Sequence, residues 1–101
     1  VTMVKITVLK RLHNPELAEK YRRPDIHRGP CPYSEGEEFY VEHVGEQPEG
    51  LCPWAWDDMH KFVLALMAGA DFTGMKQGNT FLASCTDGIK PVVFKLERID
   101  D

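Results

Sequence analysis

Polar and apolar residues alternate from the start of the chain, with Val4, Ile6 and Val8 on one side and Lys5, Thr7 and Leu9 on the other. A period of two predicts a half-buried strand over residues 2–10. Asn14 followed by Pro15 predicts a short helix to about Arg22, because asparagine caps helices well and proline suits the first helical position. Leu17 and Tyr21, four apart, would form its apolar edge. A second alternation sets Phe39, Val41 and His43 against Tyr40, Glu42 and Val44, predicting a strand that places His43 at the edge of the core.

The clearest helix pattern covers residues 53–68. Ala55, Met59, Phe62, Val63, Leu66 and Met67 recur at helical spacing, Pro53 starts the run and Gly69 ends it. Asp57 and Asp58 lie in the early turns, where the helix dipole favours anions. Leu51 can pack on Trp56 as a hydrophobic staple. Trp54 and Trp56 point to different sides, one toward the core and the other toward a pocket or the sheet surface.

Asp87-Gly88 between two apolar runs predicts a two-residue hairpin turn joining Thr80–Thr86 to Ile89–Ile99. Pairing outward from it sets Phe81 opposite Phe94, Ala83 opposite Val92, and Cys85 opposite Lys90. Phe81, Ala83, Val92, Phe94 and Leu96 then share a core face. Pro91 falls opposite Ser84, where a ladder bond would be missing. The expected fold is α+β: one domain over residues 1–101, a mostly antiparallel sheet of about four strands, and the 53–68 helix across one face.

Composition agrees with a packed domain. The chain has 101 residues, 43% of them hydrophobic, which is ordinary globular content. At this length about two-thirds of the unfolded surface can be buried, so neither metal nor disulfide is needed to hold the fold. No run approaches the ~18 apolar residues of a membrane span. The alternating N-terminal segment reads as a strand, not a secretory signal. A reducing, cytoplasmic location follows as the expectation, and there an odd number of cysteines reads as free thiols or ligands.

The net charge of −4 is unevenly spread. Residues 1–30 carry seven Lys or Arg against three Asp or Glu, and residues 31–101 carry five against thirteen. The basic 10–28 segment, with Arg22, Arg23 and Arg28, reads as a solvated face or as a docking surface for an acidic partner or small anion. Nucleic acid is not an expected partner of this acidic chain. Self-association is left open.

The candidate chemistry lies in three cysteines, each in a turn context. Cys31 is in Gly-Pro-Cys-Pro, held rigidly within the long irregular 23–36 segment. Cys52, in Gly-Leu-Cys-Pro-Trp, is at the predicted N-cap of the main helix, where unpaired N–H groups and the dipole stabilise a thiolate. Cys85, in Cys-Thr-Asp-Gly, reads as a small buried hydrophobe or as a thiol on the rim of the sheet.

No pair has Cys-x-x-Cys spacing, so any metal site must be assembled by the fold. Closed tetrahedral zinc needs a fourth ligand from His27, His43 or His60, or else keeps an open position. His60 is eight residues past Cys52, about 12 Å along the helix axis, too far to share an ion with it. There is no phosphate loop, zinc-protease motif or nucleophile elbow.

Val-Lys-Ile-Thr-Val-Leu-Lys (4–10), Cys-Pro (31–32), Glu-Gly-Glu-Glu-Phe (35–39), Pro-Glu-Gly-Leu-Cys-Pro-Trp-Ala-Trp (48–56) and Cys-Thr-Asp-Gly-Ile-Lys-Pro-Val-Val-Phe-Lys-Leu-Glu (85–97) run in that order. Together they resemble a family of small uncharacterised prokaryotic proteins, over nearly the whole chain. The resemblance implies that Cys31, Cys52 and Cys85 act together; it implies no activity, cofactor or partner.

Three functions remain open. The first is binding of a metal or metal cofactor, zinc or iron–sulfur, by thiolates of Cys31, Cys52 and Cys85. The second is a thiol enzyme or redox protein with Cys52 as the reactive group. The third is a non-catalytic interaction module using the basic 10–28 face.

Overall fold

A computed structural model describes residues 2–100. Strand β1 (Thr2–Arg11) is followed by helix α1 (Pro15–Tyr21), strand β2 (Glu38–Val41), helix α2 (Pro53–Met67), and strands β3 (Thr80–Ser84) and β4 (Val92–Asp100). The four strands form one sheet in the order β2-β1-β4-β3, and every neighbouring pair is antiparallel. The long strands β1 and β4 occupy the centre. The α2 connection carries the chain from one sheet edge to the other, which lays the helix across a single face. The fold is the expected α+β domain.

Alternation in the strands decides what is buried. Val4, Ile6 and Val8 of β1, Phe39 and Val41 of β2, Ala83 of β3, and Val92, Phe94 and Leu96 of β4 line the inner face. Ala55, Trp56, Met59, Val63 and Leu66 of α2 close over them. Phe94 is completely buried, and losing such a ring costs about 3–5 kcal/mol. The opposite face of the sheet is more polar. There Lys5 lies 3.7 Å from Glu38 and 3.8 Å from Glu97, tying β2, β1 and β4 by charge.

The inner row of β4 ends in a charge. Arg98 continues the Val92, Phe94, Leu96 series and lies under the C-terminus of α2. Its guanidinium donates to the carbonyls of Leu66 (3.3 Å) and Ala70 (2.7 Å) and to Asp71 (2.8 Å). A cation there satisfies helix-end carbonyls and complements the dipole. Gly69, with φ of +95°, supplies the left-handed residue that ends the helix. Phe72 anchors the following loop, its ring 4.5 Å from Phe81.

Four expectations need correction. First, β2 stops at Val41, so His43 is exposed and only its carbonyl is used, accepting the Glu46 N–H in a turn. Second, Leu17 and Tyr21 are exposed and α1 buries only Ala18. Third, Asn14 does stand at the N-cap of α1, yet its side chain makes no cap bond. It donates instead to the Gly88 carbonyl at 2.7 Å.

The fourth correction is the hairpin register. Phe81 pairs with Leu96 and Ala83 with Phe94, a shift of two residues from the two-residue-turn register, and β4 begins at Val92, not Ile89. A two-residue turn of the Asp-Gly type needs positive φ at both central residues, and neither Asp87 nor Gly88 has it. The Asp87 carboxylate accepts the N–H groups of Ile89 (2.9 Å) and Lys90 (3.0 Å) instead, building a wider loop around its own side chain. Because the shift is even, every side chain keeps its face. Pro91 lies outside the ladder, and its carbonyl accepts the Leu12 N–H at 2.8 Å.

Candidate functional site

The three cysteines come from chain segments 21 and 33 residues apart, and they line one small cavity. Tyr33, Trp54, Asp87, Lys90 and Phe94 contribute to the same wall. Each thiol is only partly buried, and none is in a disulfide. The cavity, of about 60 Å³, is far below the roughly 300–1,000 Å³ of pockets for drug-sized ligands. It has room for an ion or a group of a few atoms.

Local structure explains the convergence. Cys52 is the N-cap of α2, in extended conformation, and its thiol makes no capping bond. With proline next, the first turn exposes amides that no side chain satisfies. Tyr33 ties the Cys31 loop to this point. Its ring lies edge-on to Phe39 and Phe94, at 5.8 and 5.9 Å, while its phenol oxygen accepts the Cys52 N–H. Arg11 donates to the Cys31 carbonyl at 3.2 Å, fixing the loop to β1.

Cys85 is brought in by a second tie. Asp58 of α2 accepts the Thr86 N–H at 2.8 Å, and Trp54 Nε1 donates to the Thr86 hydroxyl at 3.1 Å. The start of α2 is thereby clipped to the end of β3. The Cys85 backbone N–H continues the ladder to Val92, and the Val92 N–H donates to Cys85 Sγ at 3.3 Å. Trp54 is 60% exposed at the cavity mouth, and Trp56 is the tryptophan that enters the core.

Two titrating groups feel this environment. Burial raises the Tyr33 pKa, the Cys52 N–H opposes the rise, and thiolate charge at Cys52 and Cys31 adds to it. Burial also works against ionisation of Asp87. The Lys90 and Ile89 amides and the charges of Lys90 and Arg22 outweigh it together and hold the Asp87 pKa below its ordinary value. Lys90 Nζ lies 3.9 Å from the Asp87 carboxylate.

Among the described residues, no histidine lines the cavity. The His27 ring is 3.0 Å from the Pro30 carbonyl, His43 is exposed, and His60 stacks on Trp56 at 4.7 Å with its Nε2 unpartnered. Among the described residues, no three His, Cys, Asp or Glu side chains are arranged to hold a metal ion. The thiols therefore share a cavity without closing on one point.

Two arginine side chains of the basic segment are engaged within it, and a third arginine is bonded through its backbone. Arg23 is paired with Asp25, Arg22 donates to the His27 carbonyl at 2.8 Å, and the Arg28 carbonyl is bonded by the His13 ring. No described helix is long and apolar enough to cross a membrane.

Reading the sequence alone missed Tyr33, Asp87 and Lys90 as cavity residues. A lone aromatic two residues from a cysteine in a proline-rich loop was the available signal for Tyr33. Asp87 and Lys90 carried only a turn signal.

Compared with known proteins, the chain matches no family model, no curated protein and no solved structure.

Proposed function

We propose that the chain binds a single soft ion through the thiolates of Cys31, Cys52 and Cys85. The observation that carries this reading is that three thiols from three separate loop and helix ends line one cavity large enough for an ion and little else. Thiolates select soft metals. The resemblance seen in the sequence supports joint action of the three cysteines. Binding requires the three side chains to leave their present arrangement, which converges on no common point, and Cys85 Sγ to give up the Val92 N–H. Iron–sulfur clusters are ordinarily held by four cysteines, one more than the chain has, which favours a mononuclear ion. Metal analysis of protein prepared anaerobically without chelator, beside a Cys31→Ser/Cys52→Ser/Cys85→Ser variant, tests the reading. Near-stoichiometric metal in the wild type and none in the variant is expected; only traces in both refutes it.

A second reading has its own observation. Cys52 is the one thiol of the three at a helix N-terminus, its side chain makes no capping bond, and no ready-made ligand set surrounds it. It predicts that Cys52 is alkylated much faster than Cys31 and Cys85 near neutral pH, whether or not metal is present.

A further inference from the structure

The two edges of the sheet are built differently. On one side β2 carries Glu38, and Glu42, Glu46 and Glu49 gather around a hollow beside Tyr40. On the other, β3 reads Thr-Phe-Leu-Ala-Ser, with no charge, no proline and no break in its register. Strand edges are ordinarily blunted by such devices, because a bare edge is a template for another strand. We infer that the β3 edge pairs with the β3 edge of a second copy of this chain, antiparallel about a two-fold axis at Leu82.

The backbone supplies the first argument. The Cys85 N–H bonds the Val92 carbonyl and the Arg98 N–H bonds the Asn79 carbonyl. Odd-numbered residues of this segment therefore turn their peptide groups toward β4, and Thr80, Leu82 and Ser84 turn theirs outward. The outward Thr80 N–H is already used by the Gln77 carbonyl, at 3.1 Å. Among the described residues, nothing bonds the N–H of Leu82 or Ser84, or the carbonyl of Thr80 or Leu82. With the axis at Leu82, the two leucines exchange N–H···O=C bonds. Each Ser84 N–H meets the Thr80 carbonyl of the other copy. This register uses both open donors of the edge and asks nothing of the Thr80 N–H.

The side chains agree with the same axis, which brings one patch against itself. Leu82, 47% exposed, meets its own copy on the outer face. Phe81 comes opposite Ala83 on the inner face, large against small, beside the partly buried stack of Phe62, Phe72 and Phe81. Lys95, the β4 neighbour of Leu82, is paired with Glu97 at 3.6 Å. Lys76 lines a groove with Met75 and Thr80. In the pair the two Thr80 residues lie about 14 Å apart along the strands, so like charges do not face each other. The acidic β2 edge would repel its own copy.

Sedimentation velocity of the reduced full chain, over a range of concentrations, tests the pairing. A reversible shift from monomer to dimer is expected. Leu82→Lys sets two ammonium groups opposite each other at an exposed position and should weaken the dimer about tenfold or more. Tyr40→Lys, on the other edge, should leave it unchanged, and circular dichroism checks that both variants fold. Amide exchange of the wild type reads the register: Leu82 and Ser84 should slow as concentration rises, while Phe81 and Ala83 are protected throughout by β4. A chain that stays monomeric overturns the inference. So does a dimer that Leu82→Lys leaves intact, or one in which the Leu82 and Ser84 amides still exchange freely.

Discussion

The phenol oxygen of Tyr33 accepts the backbone N–H of Cys52, nineteen residues away, and so joins a loop carrying one cysteine to a helix end formed by another. Cys52 is the N-cap residue of α2, so its own N–H has no acceptor within the helix. Replacing Tyr33 by phenylalanine keeps the edge-on packing against Phe39 and Phe94 but strands the Cys52 N–H in a half-buried position. The expected cost is about 1–2 kcal/mol, measured as a lower urea midpoint with unchanged slope. Binding of an ion should weaken in parallel, because the Cys31 loop loses its tie to α2.

Asp58 serves the other side of the cavity. Asp58→Ala removes the acceptor for both the N–H and the hydroxyl of Thr86, so only the Trp54 Nε1 bond still clips the end of β3 to α2. These bonds are exposed, and the expected stability loss is modest, about 1 kcal/mol. The effect on the site should be larger than the effect on the fold. Calorimetric titration is expected to show a clear loss of ion affinity at a temperature where circular dichroism still reports a folded chain.

Asp87 makes stability depend on pH in a definite direction. Its pKa is lowered in the fold, so in acid the native state binds fewer protons than the unfolded chain. The contribution is complete above the unfolded carboxylate value, about 3.9, and is lost as pH falls through the lower native value. Urea unfolding from pH 7 to pH 3 should therefore show a shallower acid loss for Asp87→Asn than for the wild type. The asparagine oxygen can still accept the Ile89 and Lys90 amides, so the neutral-pH difference between the two proteins should be small.

Arg98 should not tolerate lysine. The guanidinium reaches two carbonyls and two carboxylates at once, through separate N–H groups, and an ammonium cannot reproduce that fork. Arg98→Lys is expected to cost about 1–2 kcal/mol. Amide hydrogen exchange should speed up first in the last turn of α2 and in residues 70–71, before the central strands are affected.

Much of this fold is legible in the chain, and the exceptions have physical causes. Val4, Ile6 and Val8 alternate cleanly because β1 has one buried face, and the α2 stripe is long enough to be unambiguous. The hairpin register was not legible because Asp87 can serve two kinds of turn. Its carboxylate took the Ile89 and Lys90 amides, and no positive φ was needed. His43 follows the right period but lies past the point where pairing ends. In α1, Ala18 alone is buried, apart from the core cluster of the sheet, while Leu17 and Tyr21 remain exposed. The cysteines stood out by their loop contexts, whereas Tyr33, Asp87 and Lys90 join them only through contacts that the topology creates.

The central claim is that Cys31, Cys52 and Cys85 act as one site. Residue-by-residue alkylation of the reduced chain, read by peptide mass spectrometry with and without one equivalent of zinc, tests it most directly. The account predicts that all three cysteines become protected together and that a chelator restores all three. Rapid labelling of Cys52 alone, unchanged by the ion, would contradict it.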